Sequence, residues 1–290
     1  YALGIAGIGC DCSELFIVVV AMMIMLYTGT LDDILDLSPG LRFLVEIGTV
    51  LLLIFVGDYS LNDFHGLWGI NQIPRWAAIP LTVFAAVGII NAINLIDGID
   101  GLASGLSIIA LSVLGSLYLY YSQWVYAMFA FSALGTLLPF FYYNVFGKAD
   151  RCTKIFMGDT GSLTLGYILS FLIIRYTVCA PDIIPYSDGA IIVAFSTIII
   201  PMLDVMRVMF VRWRSHKGIF VADKNHIHHK LLSMGLTQRQ AMLLILTIAC
   251  LFSGVNICLI SYIDNNILIS FDILVWVGLN LWFDRIRKNT

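Results

Sequence analysis

The stretch Asn91-Ala-Ile-Asn94-Leu-Ile-Asp97-Gly98-Ile-Asp100-Gly101 closes one apolar run, 76–96, and precedes another, 102–120. Each run is about long enough to cross a hydrocarbon layer of roughly 30 Å as a helix, so the stretch reads as a polar turn between two membrane spans. Two carboxamides and two carboxylates are costly in hydrocarbon unless a cavity, a cation or a substrate receives them. The turn therefore marks a working site at a membrane surface, in a chain with only 19 acidic residues among 290.

The rest of the chain has the same character. It is 60% hydrophobic and 12% charged, with a mean hydropathy of +0.92, far from soluble composition. Nine apolar runs can span: 15–31, 41–57, 76–96, 102–120, 124–146, 161–180, 189–210, 241–263 and 268–284. The expected fold is all-α, a polytopic integral membrane helical bundle with about nine transmembrane helices in 1–290. Arg42, Lys148, Arg151, Lys154, Arg212, Arg214, Lys217, Lys224, Lys230, Arg239, Arg285, Arg287 and Lys288 lie in or beside alternate connections or in the C-terminal tail, whereas the opposite connections carry only Arg75. Positive charge of this kind marks the cytoplasmic side, so a multi-pass protein with its C-terminus inside is expected. Arg175 and Arg207 fall within predicted spans and do not enter that comparison.

Residues 1–290 read as a single transmembrane domain without repeats, and the absence of a basic leader before Tyr1 reads as a chain missing upstream sequence. External links 58–75, 121–123, 181–188 and 264–267 are short. Nearly every conspicuous polar residue falls in 30–41, 91–105, 147–163 and 211–240, the segments expected to carry catalysis. Thr237 with Gln240 three residues later predicts a capping box before the eighth run. The six cysteines lack metal or redox spacing; Cys250 and Cys258, inside an apolar run, read as small buried hydrophobes.

Four clusters could carry chemistry. Asp32 and Asp33 end the first run; on a helix they point about 100° apart, so one can face a cation or phosphate while the other organises the loop, or both can belong to an acidic turn closed by Ser38-Pro39. Asn91, Asn94, Asp97 and Asp100 repeat at i,i+3, a polar ladder if the helix persists. Gly98 and Gly101 can open the backbone, and Gly105 can admit close packing. In Phe156-Met-Gly-Asp159-Thr-Gly-Ser162, Asp159 precedes a span, where its carboxylate can hold Mg²⁺ while backbone N–H groups face phosphate oxygens; the alternative is an N-cap. His226-Ile-His228-His229 lacks the fourth ligand of a compact zinc motif, and beside Lys224 and Lys230 its imidazoles are suited to donating to phosphate. Hard-cation ligands and phosphate-binding bases together suggest phosphoryl transfer to a lipid phosphate. A transporter of a lipid-linked or anionic solute is the alternative from another class; it calls for repeats or interrupted spans at the midplane.

These four motifs, ordered over about residues 25–235, resemble the polyprenyl-phosphate N-acetylhexosamine-1-phosphate transferases, which start O-antigen, enterobacterial common antigen and wall teichoic acid synthesis. The phospho-N-acetylmuramoyl-pentapeptide transferase belongs to the same superfamily. The resemblance implies transfer of a sugar 1-phosphate from a UDP-N-acetylhexosamine to undecaprenyl phosphate with release of UMP, on the cytoplasmic face of a bacterial inner membrane, with Mg²⁺, or Mn²⁺ in its place, as cofactor. No nucleic-acid partner is implied, and homodimerisation is compatible with the family. Carried over residue by residue, Asp159 matches a Mg²⁺ ligand and Asn94 an asparagine near the same ion, with Asp33 expected to share it. Asp32 and Asp33 match essential acids, for which activation of the lipid phosphate is one proposed role. Asp97 and Asp100 match the nucleotide-sugar pocket, which Asn91 and Asn94 are expected to join. His226, His228 and His229 match loop histidines that engage substrate phosphate, His226 being counted with the catalytic residues.

His226-x-His228-His229 followed by Lys-Leu-Leu, and Ile96 before Asp97, look like the N-acetylglucosamine branch rather than the pentapeptide one. UDP-N-acetylglucosamine is accordingly the leading donor, with a 6-deoxy or diamino sugar as the alternative. Two features depart from the family: its ten or eleven spans exceed the number read here, and Lys224, expected at the substrate, stands where Arg is common and lacks the bidentate fork.

Overall fold

The computed structural model describes residues 12–178, 189–215 and 226–289, with side chains described from Leu15 to Arg287. Among these residues eleven α-helices follow one another: α1 (Cys12–Leu35), α2 (Pro39–Gly57), α3 (Arg75–Ile96), α4 (Leu102–Tyr120), α5 (Trp124–Phe146), α6 (Gly158–Thr177), α7 (Ala190–Ser196), α8 (Ile199–Arg214), α9 (Ile227–Ser233), α10 (Gln238–Leu259) and α11 (Asn265–Asn289). Among the described residues there is no strand, only an isolated bridge between Asp63 and Gln72. The helix starts follow local chemistry. Ser38 caps α2 through the Leu41 N–H, with Pro39 entering the first turn. The expected box at α10 is complete, Thr237 and Gln240 each bonding the other's backbone.

Among the described residues seven helices, α1 to α5, α10 and α11, are each long and apolar enough to cross a membrane, so the chain is a multi-pass membrane protein. The sixth expected run is α6, which sits inside the bundle against α1, α3, α4 and α7. Its side chains from Leu165 to Thr177 are all buried, and a helix enclosed by others does not need a lipid-like exterior. Arg175 is accommodated there by aromatic faces: its Nε donates to the Tyr126 hydroxyl at 2.9 Å, and its guanidinium lies 4.9 Å from the Tyr126 ring and 5.6 Å from that of Tyr59.

Close approach at glycines holds α6 in place. A Cβ on Gly166 would stand 2.8 Å from the Ile90 Cα of α3, and one on Gly29 of α1 would stand 2.5 Å from the Thr160 Cα. Gly166→Val is therefore expected to push α6 off α3 and to destabilise the bundle by about 1–3 kcal/mol, measured as a lowered thermal midpoint in detergent. Gly105 also packs closely, as expected; its Cβ would meet the Leu246 side chain of α10.

Two expectations are corrected. The run 189–210 is not one continuous helix: α7 and α8, which together are long and apolar enough for a broken span or a re-entrant loop, are bent by 79° across Thr197-Ile198. Pro201 explains the break, since its ring opposes the carbonyl four residues back, at Thr197. Cys250 and Cys258 are exposed rather than buried. The inward stripe of α10 is Ala241, Met242, Ile245, Ile248, Ala249, Phe252, Ser253 and Asn256, which leaves both thiols on the outer face, where lipid receives a small apolar group as readily as a core does. Cys10 and Cys179 lie outside the described residues.

Candidate active site

The site begins with a carboxylate that caps a helix from another segment of the chain. Asp33, in the last turn of α1, accepts from the Asp159 N–H at 2.8 Å, the Thr160 N–H at 2.9 Å and the Thr160 hydroxyl at 2.5 Å. Gly29, one turn earlier, permits that approach. A carboxylate at a helix start satisfies orphan donors and opposes the positive end of the dipole. Two expectations change as a result. The Asp159 and Thr160 amides do not face a phosphate, because Asp33 occupies them. Nor is Asp159 the cap of its own helix; Met157 stands there without a side-chain bond. Asp33→Ala is expected to cost about 1–2 kcal/mol, the usual range for a lost cap, and to lose more activity than Asp33→Asn, which keeps one acceptor; thermal melts and turnover of the two variants test this.

With its helix held by Asp33, the Asp159 side chain is directed to α3. Asn94 Nδ2 donates to Asp159 Oδ1 at 2.5 Å and to Ser162 Oγ at 2.9 Å. Arg42 of α2 approaches the same oxygen at 3.8 Å while its principal partner is Asp32, at 2.8 Å. Asp32 also accepts from the Leu37 N–H. The adjacent acids thus diverge as helical geometry requires: Asp33 serves α6, and Asp32 organises the α1–α2 loop.

The polar ladder stops at Asn94. Helix α3 ends at Ile96, and Asp97 has left helical geometry, so Asp97 and Asp100 lie on a turn closed by Gly101 at φ +78°. Asn144 of α5 fastens that turn, accepting from the Gly101 N–H at 2.6 Å and donating to the Ile155 carbonyl at 2.8 Å. Lys154 reaches Asp100 at 2.5 Å. Asp33, Asn94, Asp97, Asp100 and Asp159 line one cavity of about 530 Å³. Asn91 does not: one turn deeper, it donates to the buried Glu46 of α2.

Burial, then the charges of Asp100 and Asp159, raise the Asp97 carboxyl to about 6. An acid whose folded pKa exceeds its unfolded value stabilises the fold fully below about pH 4 and loses that contribution as pH rises through about 6. Asp97→Asn is accordingly expected to stabilise the substrate-free protein at neutral pH by roughly 1–3 kcal/mol and to flatten its stability between those limits, while lowering turnover. Melts of both proteins across that range decide the point.

None of His226, His228 and His229 lines the cavity itself; His228 adjoins its wall, and the other two reach it only through that ring. The His228 ring packs directly on Gly98, leaving no room for a Cβ there. His228 is 1% exposed, and neither ring nitrogen has a partner among the described residues. Burial, followed by the neighbouring His229 and His226, lowers it to about 4, so it is neutral at physiological pH rather than a standing cation. Its ring lies 5.9 Å from that of His226 and parallel to it, and 4.2 Å from that of His229. His226 Nδ1 is 2.8 Å from Asp204 Oδ2 on α8. Lys230 faces away, tied to Asp284 and Asn280 of α11. Lys224 lies outside the described residues.

Sequence reading did not single out Glu46, Asp204, Arg42, Lys154 or Asn144. The first two carried a usable signal, an ionisable residue inside an apolar run. Arg42 and Lys154 were read only as topology-setting charge. Asn144, on α5, had no local signal.

The donor set fits a hard divalent cation. Asp159 offers a carboxylate with a side chain 35% exposed, Asn94 an amide beside it, and the cavity is lined by further oxygen donors. Among the described residues no group of three or more acidic, histidine or cysteine side chains is placed to hold a metal ion by itself, so an ion here would be held by one or two carboxylates completed by substrate phosphates and water.

Fold and cavity together define a polytopic membrane protein with an acidic, amide-lined site where α1, α3 and α6 meet at one end of the bundle. Residues 15–177 match the model of glycosyl transferase family 4. The chain belongs to that family. It is 35% identical over 238 residues to a Bacillus subtilis protein named "Probable undecaprenyl-phosphate N-acetylglucosaminyl 1-phosphate transferase", an alignment covering 81% of this chain and 63% of the relative. Proteins named undecaprenyl-phosphate alpha-N-acetylglucosaminyl 1-phosphate transferase are 30% identical over 237 residues in Salmonella typhi and 29% identical over 240 in Escherichia coli K12, each alignment covering 81% of this chain and 62% of the relative. The chain thus spans somewhat under two thirds of the length of the relatives it matches.

Proposed function

We propose that this chain carries the catalytic unit of a Mg²⁺-dependent enzyme that transfers N-acetylglucosamine 1-phosphate from UDP-N-acetylglucosamine to undecaprenyl phosphate at the cytoplasmic face of a bacterial inner membrane, releasing UMP. The observation that carries the reading is the convergence of Asp33, Asn94, Asp97, Asp100 and Asp159, from three separate segments, on one cavity. The names of the relatives supply the donor sugar and the acceptor. The basic residues of 147–154, 212–214 and 285–287 supply the sidedness.

In this reading Asp159 and Asn94 would hold the ion, and Asp33 fixes the helix start from which Asp159 projects and would offer its remaining lone pairs to the same cation. Held by these residues, a divalent ion would supply charge compensation for the diphosphate. Asp97 and Asp100 orient the nucleotide sugar, Lys154 restrains Asp100, and the histidine segment closes on the phosphates. An oxygen of the lipid phosphate attacks the sugar-linked phosphorus; the new P–O bond forms as the bond to the bridging oxygen breaks, and UMP leaves with that oxygen. The work of the protein is alignment and charge compensation. The lipid tail stays in the bilayer and needs no aqueous path.

The bend between α7 and α8 is a feature shared with transporters. Its freed Ser196 carbonyl is met by Ser253 of α10 at 3.2 Å, and the acids lining the cavity gather at one end of the bundle. Full-length protein in nanodiscs, supplied with a panel of UDP-sugars, is expected to release UMP and form the diphosphate-linked lipid only when undecaprenyl phosphate and a divalent cation are both present. Solute uptake into vesicles without UMP release would overturn the assignment; label retained on the protein when donor is given without acceptor would overturn direct attack.

A further inference from the structure

We infer that Asp204 is a positioning residue that sets which nitrogen of His226 faces the reacting phosphates. The proposal rests on the reading above, in which the histidine segment touches substrate. Asp204 belongs to the buried stripe of α8 formed with Pro201, Val208 and Arg212, and it is 0% exposed. Among the described residues its carboxylate has three partners. Arg207 donates to Oδ1 at 2.8 Å. The Ile227 N–H, first in α9, lies 3.1 and 3.2 Å from the two oxygens. His226 Nδ1 lies 2.8 Å from Oδ2.

An ionised carboxylate only accepts, so the proton of this contact resides on His226 Nδ1. The tautomer is thereby fixed, and Nε2 becomes the ring atom left to act; it makes no hydrogen bond among the described residues. The same carboxylate holds the backbone at the start of α9, so ring and helix are aligned together. From His226 the arrangement continues through the parallel ring of His228 to Gly98 on the cavity wall. Arg207 compensates the buried charge, so Asp204 needs no proton of its own. Asp33 at α6 and Asp204 at α9 thus use one device: a carboxylate on a neighbouring helix captures the first amides of a segment that brings functional side chains to the site.

Asp204→Asn keeps the shape and can still accept from Ile227, but the amide it then turns to His226 donates and favours the opposite tautomer. In full-length enzyme that variant is expected to lose about 10–100-fold in kcat with little change in the KM for the nucleotide sugar, and to melt at a lower temperature because Arg207 loses this counter-charge, so kcat is read where both proteins are folded. His226→Gln with Asp204→Asn should be no slower than His226→Gln alone, because Asp204 acts through His226. Wild-type kcat in Asp204→Asn, or a further loss in the double variant, would overturn the inference. ¹⁵N spectra of histidine-labelled wild-type protein, with His226 assigned by its loss in His226→Gln, provide a readout independent of how the Asp204 variant folds: Nδ1 should carry the proton, and a bare Nδ1 refutes the proposal. Failure of the wild type to release UMP would instead defeat the functional reading, a separate outcome.

Discussion

Asp159→Ala is expected to reduce cation-dependent UMP release by at least about 10²–10³-fold, the scale set by removing one group that stabilises transition-state charge, and to leave the bundle folded. The second half of that expectation comes from the geometry of α6. Its first amides are held by Asp33, and its body is anchored by buried side chains and by the Gly166 approach to Ile90, so the helix keeps its main supports without the Asp159 carboxylate. Truncation at this position removes the bond from Asn94 and the longer ion pair with Arg42. Removing a negative charge near Asp97 also relieves a repulsion. Turnover measured against Mg²⁺ concentration, with a thermal melt in parallel, tests both halves. Normal turnover removes Asp159 from the metal assignment, and a collapsed melt removes the claim that its role is local.

Gly98→Ala is expected to be nearly as damaging, although it adds one methyl group to a residue with no functional atoms. That methyl would enter the His228 ring, which is 1% exposed. The His228 ring, the turn carrying Asp97 and Asp100 or the start of α9 must shift, and a displacement of about 1 Å at a phosphoryl-transfer site costs on the order of 10²-fold. Gly278→Ala on α11 is the control, since a Cβ there meets nothing within 4 Å; it should stay within about 0.5 kcal/mol of the parent in stability and retain activity. Equal activity in the two variants would mean that the histidine segment does not work against this turn.

Much of the site was legible because chemistry in a membrane leaves a strong mark in composition. Asp97, Asp100 and Asp159 stand out wherever apolar runs end, and the structure brings all three to one cavity with Asp33 and Asn94. Asn91 shared the i,i+3 spacing but serves Glu46, since one helical turn separates the cavity from the bundle interior. Asp32 and Asp33 were equivalent as letters; only the rotation of α1 against α2 and α6 separates the loop-organising acid from the helix-capping one. The break at Thr197 was written in Pro201, but the length of the apolar run concealed it.

Hydropathy and the ends of the apolar runs determined on their own that this chain is a helical membrane bundle with its polar motifs at helix ends, because hydrocarbon penalises unpaired polar groups regardless of how the helices are arranged. Tertiary structure alone decided the partners: Asp33 with α6, Asn94 with Asp159, Lys154 with Asp100, Asp204 with His226. Those pairs join residues 22 to 127 positions apart, and which side chains meet at such separations depends on helix rotation and on close approaches such as Gly29 and Gly166, which the periodicity of a single helix does not encode.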